Sequence, residues 1–164
     1  EREYEGIRLY REAPAADLER ESIEITGEML SRAEKEEVVL ALPDGRLHLR
    51  IRDFSGNMQE IPKKTYTKWF DYGKIKSGLR LRRRESGDYL MIDAAGHTKK
   101  LKEYFVNEKI PAAKRDAIWL LATGSEILWV AGGRIGAGCK VGENTEKILE
   151  VRLSGGNDCE DQEN

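Results

Sequence analysis

The stretch that most constrains this chain is Ile118–Ala131, IWLLATGSEILWVA. Two apolar runs, Ile118–Ala122 and Ile127–Ala131, flank Gly124-Ser125, and such a pair reads as a β-hairpin. Neither run alternates with polar residues, so both faces of the hairpin are expected to be buried. A chain of 164 residues with 39% apolar content can supply that cover as one domain or two small ones. No apolar run approaches membrane-spanning length, and no secretory or transit segment opens the chain. The first residue is Glu1, not Met, and the expectation is a piece of a longer protein.

Strand patterns dominate the remainder. Glu5–Glu12 and Ser22–Thr26 alternate, with Ala13–Arg20 as a loop between them. Gly27–Glu37 reads as a turn or a short helix. Val38–Leu42 and Arg46–Asp53 pair across Pro43-Asp44-Gly45. In the second of these Leu47, Leu49 and Ile51 face inward, while His48, Arg50 and Arg52 face solvent. Lys63–Phe70 mixes lysines with aromatics, which suits either base stacking or an edge strand protected by charge. Gly78–Arg84 is a strand with Leu79 and Leu81 inward and Arg80, Arg82 and Arg84 outward. Gly87-Asp88 turns the chain, Tyr89–Ile92 returns, and Glu146–Leu153 is the last strand. The class predicted is α+β: β-rich, with small, mostly antiparallel sheets and one or two short helices. The expected division is a β-rich unit at 1–73, a C-terminal unit at 74–153 and a disordered acidic tail at 154–164.

Charge divides the chain more sharply than its net −2 suggests. Residues 1–62 carry 9 Lys/Arg and 15 Asp/Glu, residues 63–115 carry 15 and 6, and residues 116–164 carry 4 and 9. A basic middle between acidic flanks points to a one-sided patch for a polyanion. The clearest helix lies within that middle, at 98–109. Leu101, Tyr104 and Phe105 form its apolar stripe, and Thr98 is its expected N-cap. Lys99, Lys100 and Lys102 then crowd a helix end whose N–H groups already repel cations, and a bound anion would relieve this. Pro111 opens a second short turn ending near Asp116.

Other chemistries find little support. Cys139 and Cys159 form no CxxC pair and read as reduced cytosolic cysteines. With only His48 and His97 added, no metal-ligand cluster is available. No helix pattern follows Gly132, Gly133, Gly136 and Gly138, so they are turns or bulges and not a dinucleotide loop. Ser154-Gly155-Gly156-Asn157-Asp158 has the letters of a pyrophosphate-binding SGGxD loop, but only six residues follow it.

The segments RLRRRESGDY (80–89), KKLKEYFVNEKIP (99–111), Arg115-Asp116 and EILWVAGGRI (126–135), with their spacing, resemble the C-terminal region of bacterial tRNA(Ile)-lysidine synthetase. The specific likeness spans 79–153. REYEGIRLYRE (2–12) and FDYGKI (70–75) resemble the family more loosely, and LMIDAAGH (90–97) stands where the family often has a Gly-Met-rich segment. The resemblance implies a cytoplasmic, ATP-dependent ligase that joins lysine to the wobble cytidine of an isoleucine tRNA with a CAU anticodon. It puts ATP, with Mg, in an N-terminal PP-loop domain that this chain lacks. No cofactor is expected here, and the chain would read the acceptor-stem region without catalysing anything. The candidate nucleic-acid contacts are Arg82, Arg84, Lys99, Lys100, Lys102 and Arg115, which match the family's motifs, with Arg83, Lys109 and Lys114 beside them in the basic segment. Gly87, Asp88, Pro111 and Asp116 would support them, with Asp88 orienting an arginine. The partners implied are tRNA and the PP-loop domain, with no membrane, and a homodimer stays open. The competing reading is a protein-interaction or oligomerisation module; a self-contained enzyme is weakest, because no catalytic set is visible.

Overall fold

The computed structural model describes residues 22–155. The expected strand Glu5–Glu12, the loop Ala13–Arg20, Cys159 and all but the start of the acidic tail lie outside those residues. The apolar hairpin forms as β8 (Leu120–Thr123) and β9 (Glu126–Val130), and every residue in both strands is buried. Gly124 opens its tight turn at φ 59, a left-handed position that favours glycine.

Eight further strands surround it: β1 (Ile23–Glu24), β2 (Val38–Leu42), β3 (Gly45–Asp53), β4 (Thr67–Asp71), β5 (Leu79–Arg82), β6 (Tyr89–Met91), β7 (Thr98–Lys100) and β10 (Lys147–Ser154). Three short α-helices stand among the described residues, α1 (Gly27–Ala33), α2 (Leu101–Asn107) and α3 (Ala112–Arg115), besides three single turns of 3-10 helix. A six-stranded sheet runs β1-β5-β8-β9-β6-β7, and a four-stranded sheet runs β2-β3-β10-β4. All pairs are antiparallel except β6–β9. This is the β-rich α+β architecture expected from the sequence.

The sheets show why the hairpin is apolar on both faces. Leu121, Leu128 and Trp129 join Leu47, Leu49, Ile51, Phe70, Leu149, Val151 and Leu153 in one core shared by the two sheets. Leu120, Ala122, Ile127 and Val130 face the opposite way and pack with Leu101, Tyr104 and Phe105 of α2. A register shift between Leu121 and Ala122 fits the hairpin between these two cores.

The boundary at residues 73/74 does not separate the sheets. β1 pairs with β5 in the larger sheet, while β10 lies between β3 and β4 in the smaller one. Leu149, Val151 and Leu153 alternate inward, and the centre of the smaller sheet is where such a strand buries them. Ser154 is still paired, opposite Arg46, so the strand extends one residue into the expected tail.

The 98–109 helix is also corrected. Thr98–Lys100 is strand β7, paired with β6, and the helix begins only at Leu101. Asp93 accepts from the N–H groups of Ala95 and His97, making a turn that directs the chain back along β6. Thr98 is therefore not the cap; Lys100 is, in extended conformation and with no side-chain hydrogen bond. The conflict between lysines and helix dipole is largely avoided, because two of the three lysines lie outside the helix. Pro111 precedes α3 as its cap instead of forming its first residue.

His48 is on the outer face of β3, as alternation requires, but it is not solvated: its side chain is 13% exposed. Register places it beside Arg152 of β10, and Glu37 and Ser154 also contact it. On β4, an edge strand, Trp69 meets Phe54 edge-on at 6.2 Å and donates to Glu150 at 3.1 Å. These contacts favour the edge-strand reading of Lys63–Phe70 over base stacking.

Candidate nucleic-acid interface

β5 leaves its sheet at Arg82, and the chain turns through Glu85–Asp88 before entering β6. Between this turn, the β7–α2 junction and α3 lies an open groove of about 660 Å³. Arg84, Lys100, Lys102 and Arg115 bring four cations to it, and Glu85, Ser86 and Asp116 also line it. The side chains come from three separate segments, so tertiary structure, not one helix face, gathers them.

An ion pair holds the floor. Arg82 donates bidentately to Asp88, at 2.8 and 3.0 Å, and its side chain is 3% exposed. The same guanidinium donates to the carbonyls of Arg83 and Gly124. Asp88 in turn accepts from the N–H of Glu85 at 2.8 Å, and its carbonyl accepts from the N–H of Leu101 at 3.0 Å. One buried pair thus ties the turn to the β8–β9 hairpin and to the first residue of α2. Its hydrogen bonds satisfy both charges, the condition under which burial is tolerated.

The rim is open. Nε of Arg84 donates to Asp116 at 2.7 Å, and Nε of Arg115 donates to the Ile110 carbonyl at 2.9 Å. Both guanidinium groups lie beside Phe105, at 5.9 and 5.8 Å from its ring centroid. Phe105 itself is fully buried, so it is a platform for the arginines and not a stacking surface for a base.

The other cations singled out from the sequence go elsewhere. Arg82 faces inward, against expectation, because Asp88 folds over the end of β5 and neutralises it. The arginine that Asp88 holds is thus part of the frame. Arg83 lies over the Trp119 ring, 3.5 Å from its centroid, and donates to the Ala117 carbonyl. Lys99 is half-buried and, by strand alternation, lies on the opposite face of β7 from Lys100. Lys114 is exposed on α3 and does not line the groove.

Lys109 has a structural role. It adopts φ 59, its N–H donates to Val106, and the N–H of Ile110 donates to Phe105. That pair of bonds closes α2 as a Schellman motif. Sequence reasoning missed Glu85 and Ser86 as wall residues, and it took Phe105 only as core. The aromatic between two basic segments was the available signal.

Among the described residues, no group of three or more His, Cys, Asp or Glu could hold a metal ion. None of their helices is long and apolar enough to cross a membrane. Burial pushes the Cys139 thiol up to about 11, so it stays protonated near neutral pH. Ser154, first residue of the SGGxD letters, ends β10 and contacts His48, whereas Asn157 and Asp158 lie outside the described residues.

Fold and groove together define a β-rich domain of two packed sheets with a cation-lined cleft beside the larger one. Residues 79–153 match the model of the TilS substrate C-terminal domain family. The chain is 42% identical over 110 residues to the tRNA(Ile)-lysidine synthase of Caldanaerobacter subterraneus subsp. tengcongensis, covering 67% of this chain and 23% of that protein. It is 38% identical over 93 residues to the enzyme of the same name from Clostridium tetani, covering 57% and 20%. The solved structure of a TilS C-terminal domain superposes with a TM-score of 0.58 at 26% identity, covering 73% of this chain and 92% of that one. The chain therefore spans only about a fifth of the length of the curated relatives it matches.

Proposed function

We propose that this chain is the tRNA-contacting C-terminal part of a cytoplasmic tRNA(Ile)-lysidine ligase, and that the groove takes the acceptor-stem region of the tRNA. The observation that carries this is the convergence of Arg84, Lys100, Lys102 and Arg115 on one groove within the family-matched residues. Four cations on a shared concave surface attract phosphates and release counterions when they bind them. ATP, with Mg, and the lysine-joining chemistry belong in this reading to an N-terminal PP-loop domain, while this chain positions the substrate.

The experiment is a salt titration of binding to an isoleucine tRNA transcript. Lys100→Ala/Lys102→Ala should weaken binding and lower the salt slope by roughly two units. Lys99→Ala, on the opposite face of the same strand, should leave the slope unchanged. Salt-independent binding, or a double variant that binds like the parent at every salt concentration, would return the protein-interaction reading.

A further inference from the structure

The two groove arginines are anchored alike. Arg84, near the end of β5, and Arg115, on α3, each donate through Nε to a fixed acceptor: the Asp116 carboxylate for one, the Ile110 carbonyl for the other. Among the described residues, no hydrogen bond engages the terminal nitrogens of either. Each guanidinium carbon lies just under 6 Å from the same buried ring centroid, so the two are no more than about 12 Å apart. A guanidinium held at Nε keeps its two terminal N–H groups as a fork, which matches two oxygens of one phosphate. The anchor and the Phe105 platform fix the fork's direction before any ligand arrives, which lowers the entropy lost on binding.

We propose that Arg84 and Arg115 form a two-point clamp on the phosphates of an RNA backbone, with Asp116 as the positioning residue that aims Arg84. This rests on the RNA reading of the groove and adds that geometry, beyond charge, determines affinity there. It also gives an acidic residue a defined role inside a site for a polyanion. Asp116 repels RNA as a charge but favours binding as an anchor. These two effects have opposite signs, so one substitution separates them.

The test uses the full chain and the isoleucine tRNA transcript, with affinity read by fluorescence anisotropy at fixed salt. Arg84→Lys and Arg115→Lys keep the charge but lose the fork, and each should weaken binding about tenfold. Asp116→Ala removes a negative charge, yet it should weaken binding, roughly threefold. Asp116→Asn keeps an acceptor for Nε and should restore what the alanine variant loses. In the Arg84→Lys background the anchoring role is already gone, so Asp116→Ala should no longer weaken binding and, by removing a negative charge, should tighten it slightly. Asp116 is 72% exposed at its side chain, so these variants should fold, and thermal melts would verify it.

The clamp is overturned if the lysine variants bind like the parent, or if Asp116→Ala binds more tightly. Lys100→Ala/Lys102→Ala, run in parallel, separates the two failures. If that double variant weakens binding while Arg84→Lys and Arg115→Lys do not, the groove is the RNA site without a clamp. If none of them has any effect, the groove is not the site and both readings fall.

Discussion

The Arg82–Asp88 and Arg84–Asp116 pairs use the same two side chains, and their arginines stand two residues apart. The first pair is 3% and 1% exposed at its side chains, and the second 33% and 72%. In the first, Asp88 takes both terminal nitrogens of Arg82, and backbone carbonyls occupy them further. In the second, Asp116 takes only Nε of Arg84. Burial and the choice of nitrogen therefore turn one guanidinium into part of the frame and leave the other available to a ligand. A run of arginines in a basic segment is not a uniform patch, and each member's partner indicates its role.

The largest test of this contrast is Asp88→Ala. It leaves the Arg82 charge buried without its partner, and removing one member of such a pair costs about 3–5 kcal/mol. Urea denaturation should show a large fall in midpoint with little change in slope. Replacing both members with apolar residues, as Arg82→Met/Asp88→Leu, should cost far less, because no orphaned charge remains. If Asp88→Ala alone fails to fold, the double variant still decides. A double variant as damaged as the single would mean that the pair's hydrogen bonds to Glu85, Gly124 and Arg83, and not its charges, hold the turn.

Much of the fold was legible because apolar alternation and turn residues repeat along the chain. Pro43-Asp44-Gly45, Gly124-Ser125 and the inward set Leu47, Leu49 and Ile51 all stand where their patterns put them. Long-range partners were not legible. Nothing local says that Lys147–Ser154 inserts between β3 and β4, since an alternating strand fits any sheet with an open edge. The groove was half legible: composition found the basic segment, and resemblance named its residues. Local patterning could not tell that Arg82 turns inward, because its partner Asp88 lies across a turn. It also read KKLKEYF as one helix, although Asp93–Gly96 bends the chain so that its first two lysines extend β7.

A middle case sharpens the contrast. His48 lies between the two pairs in burial. It contacts Ser154 through Nε2 at 2.7 Å, and Arg152 and Glu37 approach Nδ1 at 3.1 and 3.2 Å. Burial, and then the charge of Arg152, hold the imidazole below its ordinary 6.5, while Glu37 opposes them. As pH falls below 6.5, the unfolded chain therefore takes up the proton before the native one does. The contribution is fully retained above that value and is lost progressively beneath it. Melts from pH 8 down to pH 5 should show an acid-side loss of stability smaller than that of Asp88→Ala, and reduced in His48→Gln. Identical acid slopes for parent and variant would remove His48 from the account.

The smallest effect should come from the rim. Asp116→Ala and Arg84→Ala should each change stability by about 0–1 kcal/mol, because an exposed pair gains little Coulomb energy in water and gives up side-chain entropy to hold its geometry. Asp116 caps the end of α3 through its backbone N–H, which donates to Lys114, and alanine preserves that bond. Added salt should reduce the small difference further, whereas the Asp88→Ala penalty should persist because a buried pair is screened much less. Thermal melts of Asp116→Ala and Asp88→Ala at low and high salt would compare the two pairs directly. A rim variant as destabilised as the floor variant would mean that Arg84 and Asp116 hold the groove together instead of furnishing it. Any loss of RNA affinity in that variant would then report a collapsed groove and not a misdirected arginine.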